Sequence, residues 1–356
     1  MRYLLLIALI FGCGNRTHAA TFIYVSMAPE QKIQIYQLDE TAGALRPVDS
    51  LVVDGAPGCM NVDSQRRFLF ASLRTTSSLA SFRIDPMTGK LTQIGSAKLP
   101  PGENAAFVTP DRTGHWLLSA SYLAGTVVVH RLGDEGAIQT PSIQTVTTAK
   151  TAHCVAIDRD QKWVFVPHVA PNAIFQFRFD SATGKLTEAG RVPGGTDKAG
   201  PRHLAIHPTQ KFAYSSDESG SSVTAHRLDV EAGLTSFQTL STLPAGYSET
   251  NSTAEVKIHP SGKFVWVSNR GHDSLAGFSI DAASGRLTPL EQTPTEKTPR
   301  SFEIDPTGEF AFGAGEGSGK LAVFRIDPAT GRLNRIQTYE VGKSLTWVLA
   351  VKTTTN

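Results

Sequence analysis

One phrase recurs along the chain at intervals of about 48 residues, the signature of a propeller or solenoid rather than of an ordinary mixed domain. It reads SFRIDPMTGKL at 81–91, QFRFDSATGKL at 176–186, GFSIDAASGRL at 277–287 and VFRIDPATGRL at 323–333. Weaker copies stand at 35–45 (IYQLDETAGAL), 129–138 (VHRLGDEGAI) and 225–234 (AHRLDVEAGL), making seven units. Each unit also holds an apolar run, an Asp or His with turn residues, and an aromatic-rich run, as in LAIHPTQKFAYSSDE (204–218) and VKIHPSGKFVWVSNR (256–270). Alternating apolar runs broken by tight turns are strands. A third strand and a fourth follow, as in LAVFRID (321–327) and RLNRIQTYE (332–340). Four short antiparallel strands make one blade with apolar surface on both faces, and a closed ring buries those faces. The expectation is an all-β, seven-bladed β-propeller with four antiparallel strands per blade.

The termini supply the closure. Six complete strand–turn–strand pairs lie between 59 and 316, and the seventh is split between FIYVSMA (22–28) and LTWVLAVK (345–352). The last strand is therefore expected to pair beside the first, giving one propeller domain over 21–354. The glycines of the A-T-G-K/R-L turns are expected at positive φ, as scaffold rather than phosphate loops. His207 and His259 share the turn position of Asp63, Asp158 and Asp305 and read as turn-bonding residues.

Residues 1–20 read as a signal peptide: Arg2, then the apolar YLLLIALIFG, then THAA as a small-residue cleavage site. Cys13 offers an alternative lipid-anchor site. The mature chain carries no membrane span, and a periplasmic or secreted location follows. The formal charge of +2 is scattered, without the basic stripe of a nucleic-acid binder. Cys59 and Cys154 occupy equivalent places two blades apart and read as buried thiols, not a disulfide. No G-x-G-x-x-G ahead of a helix, H-E-x-x-H, EF-hand spacing, C-x-x-C or G-x-S-x-G is present, so no cofactor or metal site is expected. A monomer is the simplest assembly, since ring closure leaves no obligatory edge.

Superposing the units locates the chemistry. The residues just ahead of each inner strand are Gly58, Asn104, His153, Arg202, Ala254 and Arg300; those ending the returning strand are Arg74, Tyr122, Val169, Glu218, Arg270 and Glu316. Both sets should meet at one mouth of the central channel, a concave place for a ligand. Arginines there suit a carboxylate, a phosphate or a developing oxyanion. His153 can exchange protons near neutrality, and Glu218 can orient it, act on water, or pair with an arginine. His203, next to Arg202 in GPRHLAIHP, is expected on the opposite strand face. His168, Asn269 and His272 are secondary candidates near the channel. The irregular AGYSETNSTAE (245–255) is a candidate lid.

Beyond the repeat, GPRHLAIHP (200–208), HPSGKFVWVSNRGHDSLAGFSID (259–281), TPRSFEIDPTGEFAFGAGE (298–316) and AHCVAIDRD (152–160) carry a more specific likeness. Over about 21–352 the chain resembles the seven-bladed propeller lactonases, which include bacterial 6-phosphogluconolactonases and fungal carboxy-cis,cis-muconate lactonizing enzymes. The resemblance implies hydrolysis of a sugar-acid lactone, with His153, Glu218, Arg202 and Arg270 catalytic and Arg300 extending that cluster; the superposed units add Arg74, Asn104 and Glu316, with Arg300, as expected substrate-binding residues. The partner implied is a small anionic or sugar lactone. Muconate-type cycloisomerisation and a non-catalytic exported binding module are the alternatives. Members acting on phosphogluconolactone work in the cytoplasm, so the leader is a departure. It leaves lactone chemistry better supported than that one substrate.

Overall fold

The computed structural model describes residues 19–354, so the expectations for the leader and Cys13 lie outside the described residues. Strands β-paired into seven four-stranded antiparallel sheets account for almost all of the regular structure. In the closing blade, Thr21–Met27 pairs on one side with Leu345–Lys352 and on the other with Lys32–Leu38, which pairs with Leu45–Val52. The C-terminal strand is thus the innermost strand of the first blade, as the split seventh pair required. Among the described residues no helix is long and apolar enough to cross a membrane.

Burial peaks at the second strand of each blade and falls toward the rim; the inner strands, which face the channel, are only partly buried. The second strands, such as Phe68–Leu73, Trp163–His168 and Phe212–Asp217, are buried at every position because a neighbouring blade covers each face. The outermost strands, such as Leu287–Pro294, are largely exposed. Val, Phe and Ala dominate the second strands because they fit a pleated surface packed on both sides.

The recurrent turn also joins each blade to the one before it. Gly285 sits at φ 71°, and a Cβ there would run into the Phe212 ring of the preceding blade. The Tyr214 hydroxyl of that blade donates to the Gly285 carbonyl (2.9 Å). Gly89 (φ 69°) stands in the same relation to Phe22 and to the Tyr24 hydroxyl (2.8 Å). Gly285→Ala should therefore lose stability twice over, by about 1–2 kcal/mol for the left-handed backbone and by about 1–3 kcal/mol for overpacking. A urea midpoint within error of the parent protein would refute this interlock.

The Asp/His turn position behaves as expected. Asp63 Oδ1 accepts from the amides of Arg67 and Phe68, each at 2.7 Å. Where histidine replaces aspartate, the ring adds a contact between blades: His259 Nε2 donates to the Gly308 carbonyl (2.9 Å), and Nδ1 contacts Ser261 Oγ (2.7 Å). Cys59 and Cys154 are buried free thiols, and burial pushes the Cys154 thiol up to about 12.

Candidate active site

The inner strands are not regular. Their pairing with the second strand shifts register near the start in six blades: at Pro57/Met60, Ala105/Phe107, Pro201/His203, Thr253/Val256, Pro299/Ser301 and Leu345/Trp347. In the blade of residues 201–241, Pro201 faces Asp217 and His203 faces Ser216, leaving Arg202 as the extra residue of a bulge. Arg300 is the extra residue between Pro299 and Ser301. A bulge breaks the period-two alternation and re-aims side chains. It brings two consecutive residues, rather than alternate ones, to the channel.

At the mouth, Glu218 follows the second strand Phe212–Asp217 and Arg270 ends the second strand Phe264–Arg270 of the next blade. Arg270 Nη2 donates to Glu218 Oε1 (2.7 Å) and to the Thr253 carbonyl (2.9 Å). Arg202 Nε lies 3.6 Å from Glu218 Oε2, so one carboxylate tethers two arginines. Burial alone would raise the Glu218 carboxyl, but the charges of Arg202 and Arg270 outweigh it and hold the group below its ordinary value. Arg202 is 1% exposed; burial first, then repulsion from Arg270 and Arg300, lowers its guanidinium to about 9, still cationic at neutral pH. Arg74 Nε donates to Asn104 Oδ1 (2.9 Å), and Arg300 Nη1 stands 3.8 Å from Glu316 Oε2. The four arginines outnumber the two glutamates, so the mouth carries an excess of positive charge.

His153 precedes the short strand Ala156–Ile157, and its amide donates to the Pro167 carbonyl (3.0 Å). Its ring meets Tyr122 edge-on with centroids 5.5 Å apart. Nδ1 is engaged by His203, the one side-chain hydrogen bond the ring makes among the described residues, which leaves Nε2 without one. Burial, then the nearby Arg202, holds the imidazole well below its ordinary pKa, so it is neutral at pH 7.

Below the mouth a second layer closes the channel. Phe107, His203 and Trp347 meet across the axis, with centroids 5.4 Å (Phe107–His203), 5.7 Å (Phe107–Trp347) and 5.9 Å (His203–Trp347) apart. Further along the axis, Lys257 Nζ donates to Glu303 Oε2 (2.9 Å) and Asn61 Nδ2 to Thr109 Oγ1 (3.1 Å). The opposite end of the channel opens into a cleft lined by Asn61, Phe107, Thr109, Arg112, Cys154 and Arg159, among others. No histidine or carboxylate lines that cleft, whereas the mouth holds both.

Three readings of the sequence need correction. His203 is not on the opposite face: its Nε2 lies 3.2 Å from both Arg202 Nη1 and His153 Nδ1, because the bulge at Arg202 cancels the alternation. Its partner Glu255, bonded to His203 Nδ1 at 2.8 Å, was missed altogether. The equivalence of Asn104 was also misplaced. His153, Arg202 and Arg300 stand five residues ahead of their turn residues, Asp158, His207 and Asp305, and the same count back from Asp111 selects Ala106. Asn104 still reaches the mouth through Arg74. Of the secondary candidates, His168 is fully buried between the Val166 carbonyl and Thr148 Oγ1 (2.8 Å each). Asn269 is taken up by Thr242 and Ser274, and His272 by Ser274 (2.7 Å). All three hold the scaffold. The aligned count from the turn residue would have found Glu255, since it places His203 and Glu255 at the same position of adjacent blades.

Comparison with known proteins agrees with this architecture. Residues 20–350 match the family described as "Lactonase, 7-bladed beta-propeller". A 6-phosphogluconolactonase of Pectobacterium carotovorum is 35% identical over 288 residues, covering 79% of this chain and 84% of its own. One from Serratia proteamaculans is 33% identical over 331 residues, covering 92% and 97%. Among solved structures, the periplasmic gluconolactonase of Pseudomonas aeruginosa superposes with a TM-score of 0.86 at 26% identity, covering 94% of this chain and 99% of its own.

Proposed function

The chain belongs to the seven-bladed β-propeller lactonase family, and from that premise we propose that it hydrolyses a sugar-acid lactone at the channel mouth, in the manner of a 6-phosphogluconolactonase. The observation that carries the reading is one imidazole, open at Nε2, beside two arginines tethered by a single glutamate.

The lactone carbonyl lies toward Arg202 and Arg270, whose preorganised positive charge stabilises the oxyanion that develops as water adds. His153 Nε2 takes the proton from that water as the new C–O bond forms. The tetrahedral intermediate collapses by breaking the ring C–O bond, and the departing alkoxide recovers the proton from the imidazolium. The products are a hydroxyl and a carboxylic acid, which gives up its proton to solvent as a carboxylate, and no net proton remains on the protein. Glu218 is a weak base, because the neighbouring arginines lower its proton affinity below that of an ordinary carboxylate; its part is to fix their forks. Arg300 and Arg74, steadied by Glu316 and Asn104, face the polar or anionic end of the sugar acid.

Export is part of the same reading. It is supported by the leader-like composition of residues 1–20 and by the likeness to a periplasmic gluconolactonase. The test is acid release from a panel of aldonolactones, with and without a phosphate, corrected for spontaneous hydrolysis. Turnover is expected on at least one lactone, faster on the phosphorylated form if Arg74 and Arg300 clamp a second anion. No acceleration across the whole panel would refute the lactonase reading.

A further inference from the structure

The second layer beneath the mouth has a polarity that its packing does not explain. His203 and Glu255 are 2% and 3% exposed, on neighbouring inner strands Pro201–Ile206 and Ser252–Ile258. The equivalent places in other blades hold Cys59, Phe107, Cys154, Ser301 and Trp347, small or apolar groups that close a channel at little cost. A buried carboxylate is costly unless it is paired, and replacing a buried ion cluster by apolar residues is often neutral or stabilising. This cluster touches the proposed base.

Its hydrogen bonds allow one proton arrangement. Glu255 Oε1 accepts at 2.8 Å from His203 Nδ1, so Nδ1 carries the hydrogen. An arginine only donates, and Arg202 Nη1 lies 3.2 Å from His203 Nε2, so Nε2 is the bare nitrogen. His153 Nδ1 shares that same acceptor at 3.2 Å and must therefore be protonated. The remaining nitrogen of His153, Nε2, is then left with its lone pair, on the side without a protein partner.

We propose that His203 and Glu255 are positioning residues that hold His153 in the Nδ1–H tautomer, so that Nε2 is the base at the mouth. The proposal rests on the lactonase reading of His153 and adds to it the device that selects which nitrogen reacts. Glu255 is suited to the task. Burial would raise its carboxyl, but His203, Lys257 and Arg202 outweigh that and bring it to about 2, so the acceptor stays ionised throughout the working pH range. Burial, acting with Arg202 against Glu255, holds His203 at about 4, so it stays a neutral relay. When His153 takes a proton, its Nδ1–H bond to His203 strengthens and the charge is felt by Glu255 two hydrogen bonds away. The proton itself remains on Nε2 until the alkoxide recovers it.

Two measurements test this. Long-range 15N–1H correlation spectra of the purified wild-type protein at pH 7, with His153 assigned through His153→Gln, report which ring nitrogen is bare. The expected result is a protonated Nδ1 and a bare Nε2. Steady-state kinetics on the lactone turned over fastest then compare Glu255→Leu with Glu255→Gln. Leucine removes the acceptor, whereas glutamine keeps a carbonyl oxygen that can receive the His203 Nδ1–H. Glu255→Leu should lower kcat by about 100-fold with little change in KM, and its His153 spectrum should show the Nε2–H tautomer. Glu255→Gln should restore the wild-type tautomer and recover most of that loss. A merely structural role would lower thermal stability in both variants without moving the tautomer. A wild-type His153 protonated at Nε2 overturns the proposal whatever the variants do, as does a folded Glu255→Leu within twofold of wild type in kcat. If instead the base role of His153 is wrong, His153→Gln keeps its turnover while the wild-type tautomer stands as described, so the two failures are distinguishable.

Discussion

Replacing His153 by glutamine should lower kcat by about 10²–10⁴-fold, the range over which a positioned base acts, while leaving KM within a few-fold. Glutamine fills similar space and can still donate to His203, so the floor of the mouth is retained. The pH profile carries the sharper signature. The groups facing His153 are Tyr122 from the loop of one blade, Arg202 and His203 from the next inner strand, and the Arg300 charge from across the mouth. Burial and those cations hold the folded imidazole well below its ordinary value. A base with a lowered pKa is in its active, unprotonated form above that pKa and loses activity as pH falls through it. Wild-type kcat should therefore stay level from neutrality down past the ordinary imidazole range and fall only in stronger acid. In His153→Gln the acid limb should vanish. A wild-type limb centred near pH 6.5 would mean a solvated histidine and count against the buried base.

Arg202→Met should cost about 10²–10³-fold in kcat, comparable to removing one oxyanion-stabilising donor. It should also change the mouth in a way that Arg202→Lys does not repair. The guanidinium serves two neighbours at once, Nη1 reaching His203 and Nε facing Glu218, while its charge is felt by Arg270 and Arg300. A lysine brings one compact charge and cannot occupy both directions of that planar fork. Removing the cation also takes away one of the three arginine charges that hold Glu218 ionised. The Glu218 carboxyl should then titrate at higher pH in Arg202→Met, detectable by infrared difference spectroscopy. Because Arg202 is 1% exposed, the comparison requires an unfolding curve for each variant. A folded Arg202→Met with kcat within threefold of wild type would remove Arg202 from the mechanism.

The fold was legible because its information is local and repeated. Each unit states two strands, a turn residue and a turn glycine, and seven statements of the same pattern leave one architecture that buries both faces of every blade. The split pair at 22–28 and 345–352 announced the closure, since an unpaired strand at either end would leave an open edge. The mouth residues His153, Arg202, Glu218, Arg270 and Arg300 were found for the same reason. Residues at equivalent places in a ring must converge, and here their charges meet.

Tertiary structure alone decided what lies one residue further in. Strict alternation sent His203 to the wrong face, because alternation holds only while a strand keeps its register, and the bulge at Arg202 breaks it just there. A bulge follows from backbone geometry between two strands; a proline precedes it at Pro57, Pro201 and Pro299, but strict alternation takes no account of that. Glu255 escaped notice for a related reason. The repeat gives its place beside His203, but its role lies in a contact with His203, 52 residues away on another blade, and through it with His153. Repetition in the sequence determined which residues stand in the ring and at what height. The packing of neighbouring blades decided which of them touch, and so which nitrogen of His153 carries the hydrogen.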